Sequence, residues 1–118
     1  MAEESRLQTK ILKDLRSSDM RDYCDAFKVM KCSVSGIPDI FFTTALTGGV
    51  FIEVKGPRGV KSESQIHHVK KMNKCGCEAF FCHSWEEWMD IKSRLGMLKK
   101  GALKNAHEER YKSMLSKE

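Results

Sequence analysis

Residues 36–55, GIPDIFFTTALTGGVFIEVK, constrain the fold of this chain more than any other stretch. Asp39–Thr44 and Val50–Lys55 are two β-prone runs, and Thr47-Gly48-Gly49 between them is a turn signal, which together predict an antiparallel hairpin. Alternation along the second strand puts Val50, Ile52 and Val54 on one face and Phe51, Glu53 and Lys55 on the other. Gly56-Pro57-Arg58-Gly59 then stops the strand. Ser62, with Gln65 three residues on, has the pattern of a capping box and opens a helix over Glu63–Lys74. Its apolar side carries Ile66, Val69 and Met72, and Gly76 ends it. Glu78–Cys82 is a further strand. Strand, helix, strand is a βαβ unit, so these two strands run parallel through a right-handed crossover.

The flanking segments extend this frame. Leu7, Ile11, Leu12 and Leu15 form one stripe on a helix from Glu3 to Arg16, and Tyr23–Lys31 reads as a strand before the loop CSVSGIP. Ser84 with Glu87 suggests a second capping box, opening a helix through Trp85, Trp88, Ile91 and Leu95, whose tryptophans are core rather than platforms for bases. Ala102–Leu115 forms a last helix with Leu103, Ala106, Arg110 and Met114 on one side. The order helix, strand, strand, strand, helix, strand, helix predicts an α/β fold, a mixed sheet flanked by helices. At 118 residues and 41% hydrophobic, the chain supports one core: a domain over 1–95 and a basic helical segment over 96–118. No apolar run approaches the ~18 residues that span a bilayer. MAEESRLQTK has no signal-peptide core, so a cytoplasmic protein is expected.

The net charge of +5 is unevenly placed. Residues 1–91 hold 13 bases and 13 acids, whereas residues 92–118 hold eight bases (Lys92 among them) and three acids. That excess suits a polyanionic partner, or is simply a solvated tail. Arg58, Lys61, Lys70, Lys71 and Lys74 allow the same two readings, a phosphate track or a charged face. His67 and His68 are neighbours on one helix and do not converge on one ion; His68 is expected toward solvent and His67 toward a ligand such as DNA. The odd count of five cysteines fits a reducing compartment. Cys75, Cys77, Cys82 and His83 are the group that a zinc ion would use, but their spacing lacks paired CxxC knuckles, and free thiols explain them better.

The chemistry lies at the end of the second hairpin strand. Glu53 and Lys55 sit side by side at its C-terminal end, where open α/β sheets bind ligands. If the hairpin register brings Asp39 alongside Glu53, two carboxylates meet and a divalent cation relieves their repulsion. A surface ion pair is the plainer alternative for Glu53 and Lys55. Glu4 projects onto the middle of the first helix's apolar stripe, which aims an acid at the protein or a cleft, although an acid at a helix start also suits the dipole. Gln65 serves the cap, the site, or both.

GIPD, FIEVKGPRG and SESQ, preceded by the helical glutamate of ESRLQ, resemble in order and spacing the VRR-NUC family of the PD-(D/E)XK nuclease superfamily, over about residues 4–90. The resemblance implies a restriction-endonuclease-like fold and hydrolysis of DNA phosphodiesters to leave a 5′-phosphate. It implies Mg²⁺, with Mn²⁺ as a substitute, held by Asp39, by Glu53 and by the main-chain carbonyl of Val54. Lys55 would orient the attacking water, Gln65 would place Lys55 or the water, and Glu4 would complete the site. Arg58, Lys61, Lys70, Lys71, Lys99 and Lys100 would meet the DNA backbone. Stand-alone family members of phages and bacteria imply a homodimer cutting four-way (Holliday) junctions, and members within larger proteins imply flaps instead. A nuclease-shaped module that binds DNA without turnover is the rival of another class.

Overall fold

The computed structural model describes residues 2–117. The hairpin is present, with β2 (Ile40–Thr44) antiparallel to β3 (Gly48–Val54) and Ile40 facing Ile52. Its turn lies earlier than expected. Residues 45–47 form the loop, Thr44 Oγ1 accepts the Thr47 N–H at 3.0 Å, and both glycines belong to β3. Gly48 takes the left-handed φ of +69° that a three-residue hairpin loop needs. Gly49 lies under the Phe41 ring, where a Cβ would come within 3.2 Å of Cε1.

β1 (Cys24–Lys28) pairs antiparallel with β2, and β4 (Glu78–Cys82) pairs parallel with β3, giving the order β1-β2-β3-β4. β1 is shorter than the expected Tyr23–Lys31. Val29 N–H still reaches the Asp39 carbonyl at 2.7 Å, but the next residues of β2's side are Pro38 and a loop, so pairing ends there.

One sheet face (Ala26, Ile40, Phe42, Val50, Ile52, Val54) forms the main core with Leu7, Ile11 and Leu15 of α1 (Ala2–Leu15) and Trp88 and Ile91 of α3 (Trp85–Arg94). Phe42 meets Trp88 edge-on at 5.8 Å. Trp88 is wholly buried, as a core tryptophan should be, and its Nε1 donates to Asp14 at 2.8 Å. Across the opposite face run Phe27, Phe41 and Phe51, with ring centroids 5.3 and 4.9 Å apart. α2 (Glu63–Lys74) packs on β4, and Asn73 clamps the pair, with Nδ2 donating to the Val69 and Ala79 carbonyls and Oδ1 accepting from Ala79 N–H. Four strands with helices on both sides make a mixed α/β sandwich of the restriction-endonuclease-like class.

Three expectations need correction. The Ser62–Gln65 capping box is complete, but the one at Ser84 is half-formed. Ser84 Oγ accepts Glu87 N–H, while the Glu87 carboxylate turns past Ser84 to the N–H of His83 at 2.9 Å. Lys92 does not belong to the basic tail, because its ammonium is buried against Asp14 at 2.7 Å. α4 (Ala102–Leu115) keeps only part of its expected buried side: Leu103 is buried and Ala106 half-buried, whereas Arg110 and Met114 face solvent. Beyond the Tyr23–His107 edge contact at 5.3 Å, the helix exposes Tyr111, Met114 and Leu115.

Candidate active site

The hairpin register carries the site. Ile40 faces Ile52, so one step further Asp39 lies beside Glu53, and one more brings Pro38 opposite Val54. In an antiparallel ladder alternate residues exchange both hydrogen bonds, and Val54 is due such a pair. Proline has no N–H, so it offers the Val54 carbonyl no donor. The Val54 N–H goes instead to Asp39 Oδ2 at 2.9 Å. Asp39 is thereby held through its carboxylate by β3 and through its carbonyl by Val29, just past β1. The sequence marked Pro38 only as a strand start; its pairing position is what leaves the Val54 carbonyl without a ladder donor.

Glu53 is 2% exposed, and Lys55, just past the end of β3, is 9% exposed with its N–H on the Cys82 carbonyl at 2.9 Å. Such burial excludes the surface ion pair. From the first turn of α1, Glu4 reaches the same point: one carboxylate oxygen each from Glu4, Asp39 and Glu53 lie within 4.8 Å of one another. Three acids this close cannot all stay ionised without a cation. Burial, hydrogen bonding to Asp39, and the charges of Asp39 and Glu4 push Glu53 up to about 9, against the lowering effect of Lys55. Carboxylate oxygens, a partly buried cleft and a carbonyl without a ladder donor suit a hard divalent ion, so the donor set fits the metal that the residue pattern implies.

Beside Glu4, a cleft of about 650 Å³ runs between the start of α1 and the turn over residues 56–59, lined by Glu3, Glu4 and Arg58 among others. Gly36 packs against the first turn of α2, where a Cβ would lie 2.7 Å from backbone and Oγ of Ser64. Gln65 in that turn accepts the Ser62 N–H at 3.0 Å through Oε1, so the cap reading holds and the amide nitrogen is left over. Lys61, Lys70 and Lys71 are exposed around α2. His68, expected toward solvent, is half-buried, and His67 is exposed. Lys99 and Lys100 are not brought to the carboxylates. They share a hollow with Asp14, ten residues along α1 from Glu4, or about 15 Å of helix.

The cysteine group does not assemble. Cys77 Sγ donates to the Gly49 carbonyl, Cys82 is wholly buried with Sγ on the Ser84 carbonyl, and Cys75 is exposed. Burial pushes the thiols of Cys24 and Cys82 up to about 11, so they stay protonated and inert.

The sequence model of the VRR-NUC domain matches residues 1–86, from the helix that carries Glu4 past the βαβ unit. The chain belongs to the VRR-NUC family. This is a nuclease domain family of the PD-(D/E)XK type, and the matched span includes every group of the carboxylate site. No curated protein matches the chain significantly. Among the described residues, no helix is long and apolar enough to cross a membrane.

Proposed function

We propose that this VRR-NUC protein is a Mg²⁺-dependent, structure-selective DNA endonuclease that acts as a homodimer on four-way junctions. The observation that carries the reading is the meeting of Glu4, Asp39 and Glu53 within 4.8 Å, with Lys55 buried at the end of the same strand. Asp39, Glu53 and the Val54 carbonyl hold the ion, Glu4 completes the set, and Mn²⁺ substitutes for Mg²⁺ because all the donors are oxygens. When bound, the ion supplies Lewis acidity and offsets charge on the phosphoryl oxygens. Lys55 holds the attacking water in line and faces the charge that builds on the phosphate. The Gln65 amide nitrogen, free of the cap, positions Lys55 or that water. Cleavage leaves a 5′-phosphate.

Residues 1–95 are the catalytic domain, and residues 96–118 extend it. Two-fold symmetry matches a symmetric four-way branch and provides two cuts. The apolar Tyr111, Met114 and Leu115 on the exposed half of α4 favour a role for that helix in pairing two copies. Arg58, Lys61, Lys70 and Lys71 contact the backbone near the cut, and Lys99 and Lys100 contact a more distant arm.

The test is digestion of synthetic four-way, flap and linear DNA in Mg²⁺ or EDTA, together with a solution mass measurement. Metal-dependent nicking of four-way junctions by a dimer, lost in Asp39→Ala, is the expected result. Preference for flaps moves the protein to the other branched-DNA class. Binding without product in either condition refutes the hydrolase.

A further inference from the structure

The row of the sheet that holds Glu53 continues onto β4, where the residue opposite is Phe81. Pairing runs one step beyond the strands, through Lys55 N–H and the Cys82 carbonyl. Alternation along the parallel pair then sets His83 on the face of Lys55, in the row past Glu53 and Phe81, while Cys82 between them points into the core. Neighbouring strands lie about 4.8 Å apart, a short enough step for one DNA strand to touch both.

His83 is held there by a carboxylate. Glu87 Oε1 lies 2.9 Å from His83 Nδ1 and also accepts the His83 main-chain N–H at 2.9 Å. Burial alone would raise Glu87, but the His83 hydrogen bonds and the charges of His83 and Lys61 hold it below the usual carboxylate range. An ionised acceptor on Nδ1 makes that nitrogen the donor and leaves Nε2 available. The second group is Lys61, whose ammonium lies 4.3 Å over the Phe81 ring, and so above the residue registered to Glu53. Lys61 makes no salt bridge among the described residues. Two nitrogen donors thus flank Phe81 beside the carboxylate centre.

We propose that His83 and Lys61 form a phosphodiester-binding subsite that grips the DNA strand next to the scissile phosphate on the β4 side, with Glu87 as the positioning residue of His83. The inference rests on the nuclease reading and adds to it a residue outside the metal and lysine motif. The sequence had singled out His83 only as a candidate zinc ligand, a role left without partners because the cysteines around it do not assemble.

Binding of the full chain to a four-way junction in EDTA tests the subsite without turnover. Lys61→Ala and His83→Ala each weaken binding about 3- to 10-fold. Lys61→Ala also lowers the slope of log affinity against log salt by about 1. A neutral methylphosphonate placed singly around the cut weakens wild type at one phosphate, and His83→Ala is indifferent to it there. Glu87→Gln reproduces part of the His83→Ala loss, and supplies the readout if His83→Ala loses its melting transition. Wild-type affinity and salt slope in the folded variants overturn the subsite. Nicking by wild type in Mg²⁺ alongside unaffected variants overturns this inference alone, whereas absence of both binding and nicking overturns the nuclease reading with it.

Discussion

Replacing Glu53 with glutamine removes a carboxyl whose ionisation the metal-free fold resists. In the unfolded chain this carboxyl titrates near 4.5, and in the folded protein burial and two neighbouring acids raise it to about 9. The folded state therefore holds its proton more tightly. The associated stability is complete below pH 4.5 and is lost as pH rises toward 9. The loss runs at about 1.4 kcal/mol per pH unit inside that window, or roughly 3 kcal/mol between pH 5 and pH 7.5. A domain of this size converts 1 kcal/mol into about 4 °C of melting temperature, so the wild type should fall by roughly 10 °C relative to Glu53→Gln over those pH values. The assay is thermal melting of both proteins in EDTA from pH 5 to pH 9, repeated with Mg²⁺. Added Mg²⁺ should recover wild-type stability at high pH and leave the variant unmoved. Parallel pH curves for the two proteins in EDTA would refute the claim that the three carboxylates repel one another in the fold.

Pro38→Ala restores an N–H opposite the Val54 carbonyl. It should lower metal affinity by about 10-fold without unfolding the hairpin, as read by Mg²⁺ titration of nicking or by Mn²⁺ calorimetry; unchanged affinity removes that carbonyl from the metal set. Asp14→Ala leaves the Lys92 ammonium buried without its partner and deprives Trp88 of its acceptor, so denaturant melts should show a loss of about 2–4 kcal/mol. A loss under 0.5 kcal/mol would mean that Lys92 escapes to water at little cost. Gly36→Ala puts a Cβ 2.7 Å from Ser64 on a backbone with φ of +83°, and should destabilise by about 2 kcal/mol or more while shifting the first turn of α2. Wild-type melting and activity together would show that the loop over Gly36 does not position α2.

Local patterns made much of this site readable. Strict alternation separated Val50, Ile52 and Val54 from Glu53 and Lys55, although burial runs unbroken from Ile52 to Lys55 because both faces are covered. The capping box at Ser62 and Gln65 marked the start of α2 because its hydrogen bonds close within four residues. Where a partner is distant in sequence, the reading failed or stayed open. The second box looked identical on paper, yet Glu87 found His83 instead of the Ser84 main chain. Lys92 looked like tail charge until Asp14, at the far end of the chain, drew it inside.

Periodicity says which side of a helix is apolar but not whether anything covers it, so α4 was readable as a helix while its exposed Tyr111 and Met114 were not. By itself, the sequence determined the elements, their order, and which residues share a strand face, since those follow from steric preferences over a few residues. Only the tertiary structure decided that Asp39 reaches Val54, that Glu4 arrives from another element, and that His83 lies past Glu53. Those meetings depend on register and packing between segments far apart along the chain, which no local preference encodes.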